Sequence, residues 1–159
     1  MKGRMDILDN IDRAILNRIQ SDFPITSRPF LEIAKDLEID EIDEDEVIRR
    51  VVRLKKIGVI RRIGGSFVPD RLGFTSTLCA AHVPDERMGQ FVEVVNRYPG
   101  VTHNYRRSHT YYNVWFTFIS ESREKIEACL NKIKEDTGVT DILDLPATRV
   151  YKIKAQFDL

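Results

Sequence analysis

Val101–Phe118 reads VTHNYRRSHTYYNVWFTF, and its reading decides how the second half of the chain folds. The run alternates, and it is rich in the β-branched and aromatic residues that favour strands, so it is expected to form a β-hairpin. It also gathers two of the three histidines, two adjacent arginines, three of the five tyrosines and the only tryptophan. Polar aromatics and cations are costly to bury without partners. Either a ligand or a partner chain covers this hairpin, or it forms an unusually polar surface.

Working outward, the hairpin has a helix and a strand on each side. Thr75–Val83 reads as a strand, and Pro84 opens a helix with Met88, Phe91, Val92 and Val95 inward, ended by Pro99-Gly100. After the hairpin, a helix over about Ser122–Asp136 places Ile126, Cys129, Leu130 and Ile133 inward and stops at Gly138; Thr140–Ile153 contains a last strand. The order β-α-β-β-α-β is that of a ferredoxin-like unit. Pro69–Gly73 reads as the linker before it.

The first part is helical. Leu8, Ile11, Ile15 and Ile19 fall on one helical face, with Asp6 as the expected cap. A second helix, near Arg28–Leu37, has Pro29 in its first turn and Leu31, Ala34 and Leu37 inward. A third, about Glu44–Ile57, carries Val47, Val51 and Leu54 on one stripe and ends at Gly58. VIRRIGGSFV then reads as a two-stranded wing about Gly64-Gly65. The pattern is a winged helix-turn-helix. The fold class is therefore α+β, with a winged helix-turn-helix over residues 1–68 and a ferredoxin-like βαββαβ domain over 69–159.

The chain has 159 residues, 42% of them apolar and 31% charged, with 25 acids against 25 bases. That balance argues against bulk attraction to nucleic acid or an anionic membrane. No apolar run approaches the roughly 18 residues that span a bilayer. MKGRMDILDNID lacks the apolar core of a secretory signal, so a cytoplasmic location is the default expectation. Cys79 and Cys129 form no CxxC pair and read as buried thiols.

Asp36–Glu46, DLEIDEIDEDE, contains eight acids and no base. It covers the turn before the third helix and that helix's first turn, the part that enters the major groove in a DNA-reading helix-turn-helix. Carboxylates there repel phosphates, so DNA is not the expected partner. Acids also suit a helix N-terminus. Arg49, Arg50, Arg53, Lys55 and Lys56 lie farther along, able to pair with these acids or to face a partner.

Within the hairpin, Tyr112, Val114, Phe116 and Phe118 alternate with Asn113, Trp115 and Thr117, and the first set is expected on the core face. In the other strand Val101, His103 and Tyr105 share one parity, and Thr102, Asn104 and Arg106 the other. A one-residue slip decides which set lies beside Trp115. His103 and His109 are the acid–base candidates, because histidine titrates near neutrality. Neither has metal-ligand spacing, although a single histidine can donate axially to a metal already held in a macrocycle. Arg106 and Arg107 point to opposite faces of a regular strand; one of them can hold a carboxylate in a two-pronged fork or remain an ordinary surface arginine. Trp115 is either a flat stacking wall or a core residue.

This order of parts resembles the Lrp/AsnC architecture, with LDNIDRAILNRIQ, IAKDLEI and VIRRVVRLKKIGVIRRIGG similar to its DNA-binding half. HNYRR followed by YNVWFT is more specific: it resembles the siroheme decarboxylases, in particular the alpha type. Those Lrp/AsnC-like proteins remove two acetate carboxyl groups of siroheme to give didecarboxysiroheme in the alternative haem and haem d1 pathways. The resemblance implies a homologous beta-type partner in a heterodimer and no cofactor beyond the iron-tetrapyrrole substrate. It points to His103, Arg107 and Tyr112 for the chemistry, with His103 as proton donor and Tyr112 or His109 in reserve. It points to Asn104, Tyr105, Asn113, Trp115 and Thr117 for substrate contact, to which the reading of the hairpin adds Arg106 and His109, with axial contact to the substrate iron open to His103 or His109. A regulator sensing haem or another tetrapyrrole, and a non-catalytic scaffold subunit, are the competing readings.

Overall fold

Capping and apolar periodicity set the helices of the N-terminal module. The computed structural model describes residues 7–152, 157 and 159. Helix α1 spans Asn10–Ser21, α2 Pro29–Asp36 and α3 Glu44–Lys56. Asp6, the expected cap of α1, lies outside the described residues, and the cap observed is Asp9. Its carboxylate accepts from the Asp12 amide at 2.7 Å while the Asp12 carboxylate accepts from the Asp9 amide at 3.2 Å, a reciprocal capping box. Asp43 caps α3 by accepting from the Glu46 amide at 2.8 Å. Gly58, at φ +77°, takes the left-handed conformation that ends it.

Ile15, Ile33, Val47 and Leu54 are fully buried at the centre of this module. In α2 the inward face is Phe30, Ile33, Ala34 and Leu37. Leu31, expected inward, is only half-buried beside it, because the burial stripe runs one step later than the Leu31–Ala34 spacing suggests. The two-stranded wing is not formed: residues 59–68 carry no strand. Gly64 and Gly65 are not among the positive-φ glycines, so no primed hairpin turn closes there. Phe67 and Val68 stay exposed, and an isolated hairpin without a face to bury is marginal.

The chain divides into two compact units, Met1–Gly65 with Lys152–Leu159, and Ser66–Tyr151. In the first, the Phe157 amide donates to Gln20 Oε1 at 2.9 Å. The second opens with a 3₁₀ turn at Pro69–Leu72, where an open linker was expected, closed by Gly73 at φ +76°.

Strand β1, Thr75–Ala81, is followed by a 3₁₀ turn at Asp85–Arg87 and then α4, Met88–Asn96, so the α-helix begins four residues after Pro84. Strands β2, Val101–Arg106, and β3, Val114–Ser120, form the hairpin. Helix α5 is Arg123–Thr137 and β4 is Ile142–Leu145. Ser122 caps α5 through the Lys125 amide at 3.3 Å. The sheet is antiparallel in the order β2-β3-β1-β4, the ferredoxin-like arrangement. Among the described residues no helix is long and apolar enough to cross a membrane.

Both helices cover one sheet face. Phe91 and Val95 of α4, with Ile126, Leu130 and Ile133 of α5, pack on Cys79, Ala81, Val114, Phe116 and Phe118. Each large side chain so buried contributes roughly 1.5–3 kcal/mol. Burial pushes the Cys79 thiol up to about 12, so it stays a neutral apolar filler. Gly100 admits close approach of β3: a Cβ there would collide with the Ile119 carbonyl oxygen and the Phe118 ring. Gly100→Ala is expected to lower the unfolding free energy by about 1–3 kcal/mol, the usual cost of overpacking, read from the urea midpoint.

Candidate active site on the uncovered sheet face

Among the described residues of this unit, no helix covers the opposite sheet face. Strand pairing places Leu145, Leu78, Thr117 and His103 in one row across β4, β1, β3 and β2, and Leu143, Ala80, Trp115 and Tyr105 in the next. The β4–β1 half is therefore aliphatic and the β3–β2 half polar and aromatic. Leu78 (41%), Leu143 (37%), Leu145 (40%) and Tyr105 (47%) all remain exposed.

Val114, Phe116 and Phe118 do face the core, with Trp115 and Thr117 on the other side. Tyr112, grouped with them by parity, precedes β3 and lies in the connecting loop. The expected parity of β2 fails. Val101 pairs with Phe118 on the core side, whereas His103 pairs with Thr117 and Tyr105 with Trp115. The cause is a register shift between Val101 and His103, a bulge that turns every later side chain over. Asn104 and Arg106 consequently lie on the helix side: the Asn104 amide donates to Asn96 Oδ1 at 3.0 Å, and Arg106 pairs with Asp85 at 2.8 Å. Arg107 lies on the other side, its guanidinium 5.5 Å from the Tyr105 ring centre.

The loop between β2 and β3 carries His109. Its Nδ1 accepts from the Tyr112 amide at 3.0 Å and the Tyr111 amide at 3.2 Å. An amide can only donate, so in this arrangement Nδ1 is an acceptor and the ring proton sits on Nε2. The ring stands edge-on to Trp115 at 6.0 Å, and the Trp115 indole donates to the Tyr112 carbonyl at 3.0 Å. His103 is exposed, with Nδ1 3.0 Å from Thr102 Oγ1, a hydroxyl able to give or take the proton. Asn113 is committed on both ends: its Oδ1 accepts from the Val83 amide at 2.9 Å and its Nδ2 donates to the Val83 carbonyl at 2.8 Å. An open cleft of about 670 Å³ beside the loop is lined by Arg106, Arg107, Ser108, His109, His82 and Asn113, among others.

Three residues of this region escape sequence reading. The Tyr111 and Tyr112 hydroxyls both donate to the Asp141 carboxylate, at 2.7 and 3.3 Å. His82 stacks on the Tyr111 ring, centres 4.2 Å apart. The Asp141 hydrogen bond holds the Tyr111 hydroxyl above the ordinary tyrosine range; burial, then the Asp141 charge, does so for Tyr112.

Residues 71–152 match the family described as AsnC-like ligand binding domain, and residues 12–61 match the siroheme decarboxylase NirDL-like HTH domain. The siroheme decarboxylase alpha subunit of Desulfovibrio desulfuricans is 50% identical over 150 residues, 94% of this chain and 84% of that one. The chain is a member of the siroheme decarboxylase alpha-subunit family. Among solved structures, siroheme decarboxylase NirDL in co-complex with an iron-uroporphyrin III analogue is similar at 29% identity and a TM-score of 0.64, covering 94% of this chain and 48% of that one. An AsnC family transcriptional regulator from Agrobacterium tumefaciens, at 21% identity and a TM-score of 0.74 over 94% of this chain and 96% of that one, shares the fold.

In this siroheme decarboxylase family member the would-be DNA-reading helix has its arginines engaged. Arg49 and Arg50 both pair with Glu46; Arg50 also pairs with Asp9 and Asp12, and Arg53 with Asp12. Arg28 pairs with Glu44. Glu44 and Glu46 of the acidic run, together with Asp9 and Asp12, thus neutralise these four arginines.

Proposed function

We propose that the chain is the alpha-type subunit of a siroheme decarboxylase, removing two acetate carboxyl groups of siroheme beside a homologous beta-type partner. The observation that carries this reading is the gathering of His103, Tyr105, Trp115 and Thr117 on one uncovered face, with Arg107 alongside. The macrocycle lies flat against the polar aromatic half, where Trp115 and Tyr105 exclude water. The partner covers the aliphatic half, removing Leu78, Leu143 and Leu145 from solvent.

The chemistry asks little of the protein beyond positioning. Cleaving the carbon–carbon bond of an acetate arm releases carbon dioxide and leaves the electron pair on the methylene carbon, where the conjugated macrocycle delocalises it. A proton added to that carbon gives the methyl group. His103 supplies this proton: both its nitrogens can carry hydrogen, since Thr102 Oγ1 accepts from a protonated Nδ1. His109 has a different part. With Nδ1 occupied by two amides, its Nε2–H is a fixed donor for a carboxylate and has no lone pair for iron. An imidazole that protonates the arm cannot at the same time ligate the iron, so His103 in this role makes no axial contact.

Arg107 grips a carboxylate that stays. An arginine on the departing group would stabilise the ground state and slow the step. Arg106 and His109 line the same cleft and hold the neighbouring arm. The reading requires no cofactor beyond the substrate's own iron and macrocycle. A DNA-binding regulator would need a basic face on α3, where Arg49, Arg50 and Arg53 are paired instead.

Siroheme incubated anaerobically with the chain and its partner is expected to lose the mass of two carbon dioxide molecules. Unchanged mass alongside a tight spectral shift would instead indicate a sensor or scaffold.

A further inference from the structure

Two residues that anchor the loop between β2 and β3, Asp141 and His82, lie outside the residues proposed for the site. Asp141, immediately before β4, receives both tyrosine hydroxyls of the loop, Tyr111 at 2.7 Å and Tyr112 at 3.3 Å. His82, just beyond β1, donates from Nδ1 to the Tyr111 carbonyl at 2.7 Å while its ring stacks on Tyr111 at an interplanar angle of 8°. The two anchors are joined, since the His82 amide donates to the Asp141 carbonyl at 3.0 Å. Tyr111 is thus held at its carbonyl, its ring face and its hydroxyl, all from the sheet. The Tyr111 and Tyr112 amides are the same two groups that fix His109 Nδ1 as an acceptor.

We infer that Asp141 and His82 are positioning residues, which lock Tyr111 and Tyr112 so that their amides hold His109 with its Nε2–H available to a substrate carboxylate. The functional consequence rests on the proposed role of His109; the positioning itself does not. Asp141 is the stronger lever, because one carboxylate serves two hydroxyls. Losing it frees both tyrosines, and with them the amide pair that sets the imidazole. Small displacements of a positioned group cost on the order of 100-fold in rate.

The test has a structural arm and a catalytic arm. In the full chain labelled with ¹⁵N-histidine, the wild-type His109 signal should report an unprotonated Nδ1 and a protonated Nε2. Asp141→Ala should give a mixture of tautomers, and so should Tyr111→Phe with Tyr112→Phe, which removes only the two hydroxyls and guards against misfolding. A His109 signal unchanged in both variants overturns the inference, whatever the protein acts on. With the beta-type partner and siroheme, Asp141→Ala should lower kcat about tenfold or more at unchanged KM, with no additional loss when combined with the double Phe variant. His109→Phe is measured beside them. If it loses turnover while Asp141→Ala keeps both turnover and the wild-type tautomer, the positioning role fails and the proposed function stands. If the tautomer shifts as expected but His109→Phe turns over normally, positioning stands and the proposed role of His109 fails.

Discussion

His103→Gln should lower siroheme turnover by about 10²–10⁴-fold, the usual contribution of a positioned general acid, while tetrapyrrole binding changes only a few-fold. The substitution keeps size and polarity but removes the imidazole that would hand over the proton. His103 lies on the exposed face, opposite Thr117 and in the row next to Trp115, so no core packing is disturbed. Single-turnover kinetics with the partner present, together with an optical titration, separate the two quantities. His109→Gln provides the contrast. A glutamine keeps an acceptor for the two loop amides and an N–H for a carboxylate, so it should retain more activity than His109→Phe. A His103→Gln enzyme turning over at the wild-type rate would assign the proton to another group and leave His103 a wall of the site.

Asp12→Ala should destabilise the helical module by about 2–3 kcal/mol, seen as an earlier urea transition in helical circular dichroism. Asp12 is 1% exposed and accepts from Arg50 at 2.9 Å, from Arg53 and, as a capping residue, from the Asp9 amide. Removing a buried partner outright typically costs about 3–5 kcal/mol, because the remaining charge is stranded. The expectation here is smaller, since Arg50 keeps Asp9 and Glu46, and Arg53 reaches solvent. The same network sets the acid response. Arg50 holds the Asp9 carboxyl below its ordinary value, and Arg49 and Arg50 do so for Glu46. A carboxylate with a depressed folded-state pKa stabilises fully at neutral pH, and that support is lost as pH falls through the lowered value. The module should therefore weaken in acid.

The architecture was legible because its signals are local. Ile15, Val47, Val51 and Leu54 announce their helices by spacing alone, and Gly58 ends α3 and Gly138 ends α5 by a backbone conformation few other residues accept. The HNYRR and YNVWFT motifs pointed to the candidate site through their resemblance to siroheme decarboxylases. What remained hidden depends on contacts far apart in sequence. Asp141 and His82 carry no motif, and each meets Tyr111 across about 30 residues of chain. Gly64-Gly65 suggested a hairpin turn, but a turn forms only when its flanking strands have a face to bury. In α2, Leu31 and Ile33 are equally apolar, so only the packing against α1 and α3 decides between them.

One irregularity in β2 governs which letters of the motif meet a substrate. Because the strand carries one residue more than its partner between Val101 and His103, imidazole and phenol emerge where a regular ladder would have put the Thr102 hydroxyl and the Asn104 amide. A chain sharing HNYRR letter for letter would therefore present the opposite set if its residue 102 paired across the ladder instead of bulging out of it. Among relatives, the pairing register of this strand tells as much as the histidine itself.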